Sequence, residues 1–322
     1  MAIPTQASTS QLPPGVTNPN YKPLPGRLGN LTVPQQHALE TLRKQLQDEE
    51  KFVPERMDDA TLLRFLRARN FDVSKAKAMI ISAEEWRVEF GIEDIMKCVF
   101  SPDMRLPGYR CVSPSLETST SKRKPKVDKY YPQYYHQMDR HGRPLFIQKL
   151  GQLDVNALYR ITTQERQLQR LVAEYERFLN LRAPACAAAM GHPVETTCTV
   201  LDLYNVSLIN FYRVKDYVSA ASAIMQARYP ETMGKFYIIN APWAFGAVWS
   251  VIKPWLDEAT VAKIDILGSS YKEKLLMDIP KEHLPEEFGG SCVCDGGCSM
   301  SDAGPWKELA ANGDEKFVNV AW

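Results

Sequence analysis

From Arg143 onward the chain alternates short β-branched or apolar runs with long amphipathic ones, and no other feature restricts the fold as strongly. Residues 144–150, 196–203, 235–239 and 263–267 read as strands. Thr162 and Glu165 form a candidate capping box ahead of a helix with Leu168, Leu171, Val172, Tyr175, Phe178 and Leu179 on one face. Phe211, Val214, Tyr217, Val218, Ala221, Ile224 and Met225 mark another helix between the second and third strands. Parallel strands need crossover connections of about this length, so the pattern predicts an α/β fold with a largely parallel sheet.

The part before this is helical. Asp58 and Asp59 precede Leu62, Leu63, Phe65 and Leu66, the start of a capped helix with one apolar stripe. Ser74 is placed to cap a second helix carrying Ala76, Met79, Ile80, Ala83, Trp86 and Phe90, and Gly91 to end it. With the run at 37–46 these make a small helical bundle. The chain divides into a flexible polar arm (1–30), a helical domain (31–104), a basic insertion (105–129), an α/β domain (130–290) and a tail (291–322). The insertion carries Lys122, Arg123, Lys124, Lys126 and Lys129 and reads as a solvated loop, with weak contact to anionic lipid as the alternative.

Several function classes drop out. A formal net charge of +1 over 322 residues is too small for a broad surface that neutralises a nucleic-acid backbone. No basic stretch followed by an apolar run opens the chain, so no secretory signal is expected. The longest uncharged apolar stretch, 236–252, is too short to span a bilayer and is interrupted by Pro242 and Gly246. Seven scattered cysteines suit a reducing cytoplasm. Neither a G-x-S-x-G elbow, a phosphate loop nor a G-x-G-x-x-G fingerprint occurs, and Gly268-Ser269-Ser270 does not supply a nucleophile, so no catalytic residue is expected. His37, His136, His141, His192 and His283 lack metal-site spacing; Cys292, Cys294 and Cys298 are close together, but no His or Cys comes after them as a fourth ligand. Neither metal nor cofactor is expected.

Residues 241–256, APWAFGAVWSVIKPWL, hold three tryptophans, a phenylalanine and a single charge, Lys253. A helix apolar all round is normally buried in a core; one buried on a single side must meet a greasy ligand or a bilayer with the other. Both readings stand on the sequence. Thr260 and Lys263, just before a strand, offer donors to a phosphate, a combination that is unspecific by itself.

Longer motifs carry a resemblance. They are TLLRFLRAR at 61–69, FDV at 71–73, YPQYYH at 131–136, GRP at 142–144, LRAPAC at 181–186, YPE at 229–231, MGKFYIINAP at 233–242 and FGG at 288–290. On these, from about residue 24 to 307, the chain resembles the CRAL-TRIO lipid-binding family, and within it the fungal phosphatidylinositol/phosphatidylcholine transfer proteins of the secretory pathway. The resemblance implies an N-terminal helical bundle followed by a mixed, largely parallel sheet lobe, whose sheet floors a lipid pocket closed by a gating helix.

It also implies sites. Arg69, Glu231, Thr260 and Lys263 would hold the phosphatidylinositol headgroup, Arg69 either directly or as a bridge between the lobes. Tyr135, Phe146, Tyr175, Thr197 and Thr199 would hold that of phosphatidylcholine. Phe146 stands where relatives carry tyrosine and lacks its hydroxyl, but aromatic caging of choline survives. The gate and its hinges would comprise Pro242, Trp243, Phe245, Val248, Trp249, Ile252, Lys253, Pro254, Trp255 and Gly290. The resemblance thus implies a monomeric, cytoplasmic carrier, peripherally associated with Golgi and endosomal membranes, that exchanges the two lipids and presents phosphatidylinositol to a kinase. A carrier of a sterol, tocopherol-like or retinoid molecule is the alternative, and a lipid hydrolase a more distant one.

Overall fold

The structure, a computed structural model, describes residues 12, 15–100, 127–206 and 208–307, without the side chains of 97–100 and 208–212. Four helices form the first lobe. Helix α1 (Val33–Asp48) opens on a capping box between Thr32 and Gln35, and α2 (Asp59–Arg67) on Asp58, whose carboxylate accepts from the Thr61 amide. Helix α3 (Val73–Phe90) is capped by Asp72, not by Ser74 as expected, because the carboxylate two residues earlier takes the Lys75 amide. Gly91, at φ 71°, ends it in the left-handed region, and α4 (Ile92–Phe100) comes next. Leu39, Leu42, Leu46, Leu62, Leu63, Leu66 and Ile80 close on one another as the core of this lobe.

The second lobe is built on a five-stranded sheet: β1 (Gln133–Met138), β2 (Pro144–Lys149), β3 (Thr197–Asp202), β4 (Met233–Ile239) and β5 (Ile264–Ile266), in that spatial order. Strands β2 to β5 run parallel; β1 forms an antiparallel hairpin edge with β2, which makes the sheet mixed. The connections hold α5 (Val155–Ile161), α6 (Gln164–Arg177), a π-turn (Phe178–Arg182), α7 (Ala183–Met190), α8 (Leu208–Arg228), α9 (Phe245–Ile252) and α10 (Glu258–Val261). Helix α11 (Lys272–Asp278) and the short α12 (Cys298–Ser301) come after β5. Thr163, not Thr162, caps α6, because Thr162 is already the C-cap of α5.

Strand periodicity gives the sheet two different faces. Tyr134, Leu145, Ile147, Cys198, Val200, Tyr237 and Ile239 point to one side, against Tyr271, Leu275, Ile279, Leu284 and Phe288. Their alternates point to the opposite face, where Ile238 packs with Leu203, Phe245 and Val248 and Tyr135 with Phe178 and Trp306.

Ion pairs join the lobes. Arg67 Nη2 donates to Glu195 Oε2 at 2.8 Å and its Nη1 to the Gly26 carbonyl at 3.1 Å, while Arg27 meets the same carboxylate at 2.7 Å. Arg87 Nη1 donates to the buried Glu176 at 2.7 Å, which also accepts from the Tyr229 hydroxyl. Residues 17–30, expected as part of a flexible arm, are therefore packed: the Thr17 and Asn18 amides bond the Gly191 carbonyl, and Tyr21 stacks on His192 at 4.5 Å. Residues 105–126 of the basic insertion and 308–322 of the tail lie outside the described residues, but 291–307 fold back along β1. Among the described residues no helix is long and apolar enough to cross a membrane.

Candidate functional site

The second sheet face floors an apolar cavity enclosed by α5, α6, α8 and α9, with about 1640 Å³ of empty space counted out to its open mouth. Register explains its floor: Tyr135 pairs with Phe146, Phe146 with Thr199, Thr199 with Phe236 and Phe236 with Ile264. Paired residues share a face, so these five form one row across the sheet, and all five line the cavity. Thr197, two residues before Thr199, points the same way and donates to the Thr232 carbonyl at 3.4 Å.

All five residues expected for the phosphatidylcholine headgroup thus line one cavity. Tyr135 is held on three sides, by Phe146 stacked at 4.6 Å, by the Arg182 guanidinium 4.0 Å over its ring, and by Trp306 edge-on at 6.3 Å. Tyr175 stacks on Tyr229 at 5.0 Å. Burial raises the Tyr135 and Tyr175 phenols far above their ordinary range and that of Tyr217, also in the lining, to about 12. Near neutral pH they remain uncharged donors.

Helix α9 forms part of the wall, and it resolves the question left open for 241–256. Phe245 and Val248 are buried, and Trp249 and Ile252 line the cavity beside them, while Gly246, Ala247, Ser250 and Val251 are exposed. It is therefore a one-sided cover and not a core helix. Only 245–252 is α-helical; a 3₁₀ turn (Lys253–Trp255) comes next, as Pro254 requires, and the Trp255 carbonyl is tied to α8 by Gln226 Nε2 at 2.7 Å. At the other end Asn240 adopts φ 53° and its amide donates to Asp202 Oδ1 at 2.8 Å, just before Pro242. Trp243 is 97% exposed. Gly290, expected with the gate, lies in the turn packed under the opposite face, where a Cβ would stand 1.7 Å from the Leu284 carbonyl oxygen.

None of the four residues expected for phosphatidylinositol lines this cavity. Glu231 and Lys263 precede the adjacent parallel strands β4 and β5, which brings Nζ to 3.5 Å from Oε2, both side chains about one quarter exposed. The Thr260 hydroxyl donates to Asp257 Oδ2 at 2.9 Å at the start of α10. Arg69 Nη1 donates to the Ala68 carbonyl at 2.8 Å. Arg67 and Arg87 bridge the lobes, the role considered for Arg69.

Sequence reasoning missed Arg182, Trp306 and His136. The LRAPAC motif contained Arg182; Trp306 had no periodic context to mark it. His136 corrects the expectation that the three tail cysteines lack a fourth ligand: no candidate lies after Cys298, but β1 brings His136 beside them from 156 residues before Cys292.

The comparisons with known proteins agree with this geometry. The CRAL/TRIO domain matches residues 128–290, and the CRAL/TRIO N-terminal domain matches 38–82. The chain is 47% identical over 293 residues to the Sec14 cytosolic factor of Schizosaccharomyces pombe, covering 91% of this chain and 94% of that protein. It is 38% identical over 276 residues to the phosphatidylinositol/phosphatidylcholine transfer protein SFH12 of Arabidopsis thaliana, covering 83% of this chain and 47% of that one. The crystal structure of Sfh5 shares the fold, with a TM-score of 0.56 at 16% identity, covering 77% of this chain and 84% of that one. With both domain matches in sequence order and close relatives along nearly its whole length, the chain belongs to the CRAL/TRIO family.

Proposed function

We propose that this protein is a phospholipid carrier that exchanges phosphatidylinositol and phosphatidylcholine between membranes without breaking a bond. The observation that carries the reading is the cavity: a wall of apolar side chains, with two threonine hydroxyls and stacked aromatics on its floor and a one-sided apolar helix as its cover. Acyl chains gain about 0.8 kcal/mol per CH₂ from burial in either a bilayer or such a cavity, so exchange is close to neutral and the headgroup contacts set selectivity. Thr197 and Thr199 supply donors to a phosphate, and Tyr135, Phe146 and Tyr175 supply the faces for choline. Among the described lining residues there is no histidine or cysteine, and Glu174 is paired with Arg177 and Arg182, so Ser222 has no evident base.

For phosphatidylinositol the reading rests on the Glu231–Lys263 pair with Thr260 nearby: ammonium and hydroxyl for phosphate oxygens, carboxylate for inositol hydroxyls. Arg69 is the weakest member of that set. The finer consequences are a cytoplasmic monomer that docks transiently on Golgi and endosomal membranes and presents phosphatidylinositol to a kinase. Mass spectrometry of lipid extracted from the purified protein tests the central claim: phosphatidylinositol and phosphatidylcholine are expected, and recovery of sterol alone would replace it.

A further inference from the structure

The densest cluster of metal-binding side chains in the described structure lies outside the lipid site, where the tail crosses β1. His136 is fully buried, on the sheet face away from the cavity, and its Nε2 lies 3.3 Å from Cys292 Sγ. Cys294 Sγ lies 3.8 Å from Cys292 Sγ, and all four donor atoms, with Cys298 Sγ, fall within 4.8 Å of one another. A chain reversal at Gly296 and Gly297, with φ 74° and 91°, returns Cys298 to the other two sulfurs. Cys298 Sγ also reaches the Cys292 carbonyl at 3.4 Å.

Coordination geometry sets the test of fit. Zinc–sulfur bonds of about 2.3 Å and zinc–nitrogen bonds of about 2.0–2.1 Å at tetrahedral angles put neighbouring sulfurs about 3.8 Å apart and a sulfur and nitrogen about 3.5 Å apart. The observed 3.8 and 3.3 Å are close to those separations. A disulfide would need sulfurs at about 2.05 Å. The second nitrogen of the histidine is also placed: Nδ1 lies 3.3 Å from the Ser301 hydroxyl, which itself donates to the Cys298 carbonyl at 2.9 Å. An outer partner of this kind fixes the ring orientation of a ligating histidine and leaves the other nitrogen for the metal.

We infer that His136, Cys292, Cys294 and Cys298 form a closed, structural zinc site that clasps the tail around the edge strand of the lipid-binding sheet. The three thiols release their protons as Zn²⁺ binds, and with four protein ligands no position is open for a reacting water. The clasp explains the path of the chain beyond it. Ala303 accepts a bond from the Gln137 amide at 2.5 Å, and Trp306, 1% exposed, lands against Tyr135 on the cavity side of the same strand. The metal and the tryptophan thus grip β1 from opposite faces, and the second grip is the outer support of an aromatic in the lipid cavity.

The test uses the full chain, expressed with zinc and purified without chelator. Elemental analysis is expected to find about one zinc per chain, and to find it lost in Cys294→Ser and in His136→Asn. Should either variant fail to fold, unsubstituted protein stripped and reloaded with Co²⁺ gives the same answer: tetrahedral d–d absorption with a thiolate charge-transfer band is expected. Zinc retained in the variants would place the ion elsewhere and overturn the inference. So would a metal-free protein that gains no such cobalt spectrum, whether its three tail cysteines are found as free thiols or as a disulfide.

Discussion

Replacing Trp243 with glutamate isolates membrane contact from lipid holding. Trp243 is 97% exposed and does not line the cavity, so neither the core nor the lipid wall changes. Substitutions at such positions alter stability by about 0.5 kcal/mol or less. A tryptophan buries ~150–250 Å² when fully covered, which at ~25 cal/mol per Å² corresponds to roughly 4–6 kcal/mol. Half-immersion at the headgroup boundary would therefore stabilise the docked protein by roughly 2–3 kcal/mol, and its loss is a factor of roughly 30 to 150 in docking. The assay tracks labelled phosphatidylcholine between donor and acceptor vesicles, alongside co-sedimentation with vesicles. Transfer and co-sedimentation should both fall by that order, while the thermal midpoint and the lipid recovered from the purified protein stay as they were. Transfer within about twofold of the unsubstituted rate would refute the idea that this end of α9 enters the bilayer first; loss of bound lipid would show instead that Trp243 belongs to the pocket.

Other substitutions separate the remaining parts. Thr199→Val keeps the shape of the floor but removes a hydroxyl, and should weaken phosphatidylcholine binding about 5- to 10-fold, leaving phosphatidylinositol unaffected in a competition assay. Lys263→Ala combined with Thr260→Asp should lower phosphatidylinositol binding at least about 10-fold with phosphatidylcholine transfer intact; equal loss of both would argue against separate headgroup sites. Arg67→Ala breaks a bridge whose carboxylate keeps Arg27, so the cost should be about 2 kcal/mol in urea unfolding and not the larger figure for an orphaned buried charge. Gly290→Ala drives a Cβ into the Leu284 carbonyl and should lower the thermal midpoint sharply, in lipid-free and lipid-loaded protein alike, since the clash is under the sheet and away from α9.

The elements legible in the sequence were those whose apolar period matched one face of a helix or strand. Strands β2 to β5 and helices α2, α3, α6 and α8 fall where the alternation put them, with caps displaced by a residue or two where Asp72 and Thr163 outcompeted their neighbours. Strand β1 carried no such signal, because Tyr134, Tyr135 and His136 are consecutive buried rings and both faces of the strand are covered. The phosphatidylcholine set depended on the resemblance, and the structure shows why its members lie together: one register row unites Tyr135, Phe146 and Thr199. The placing of Arg69, and of Gly290 as part of a gate, did not reduce to any local pattern, and side-chain geometry put neither against the cavity.

The two-sided burial that hid β1 from a sequence reading makes it the strand on which the lobe's separate parts meet. Tyr134 turns down into the packed face and its hydroxyl reaches Glu287 at 3.4 Å; Tyr135 turns up into the cavity; His136 turns down again toward the three cysteines. Three consecutive residues thus face the core, the cavity and the tail, and Gln137, at φ 57°, breaks the register immediately after them. A strand at the sheet edge has one free side for backbone pairing, and here the returning tail occupies it through Ala303. Rigidity at this edge contrasts with the gate role proposed for α9: if that helix moves for lipid to exchange, the aromatic surface proposed for the headgroup has to be held from behind. Arg182 and Trp306 hold Tyr135 from outside the cavity, and Trp306 can do so only while the tail stays clasped to β1. Stripping the tail's anchor should therefore loosen phosphatidylcholine selectivity before it affects the apolar capacity of the cavity, which rests on β3, β4 and α8.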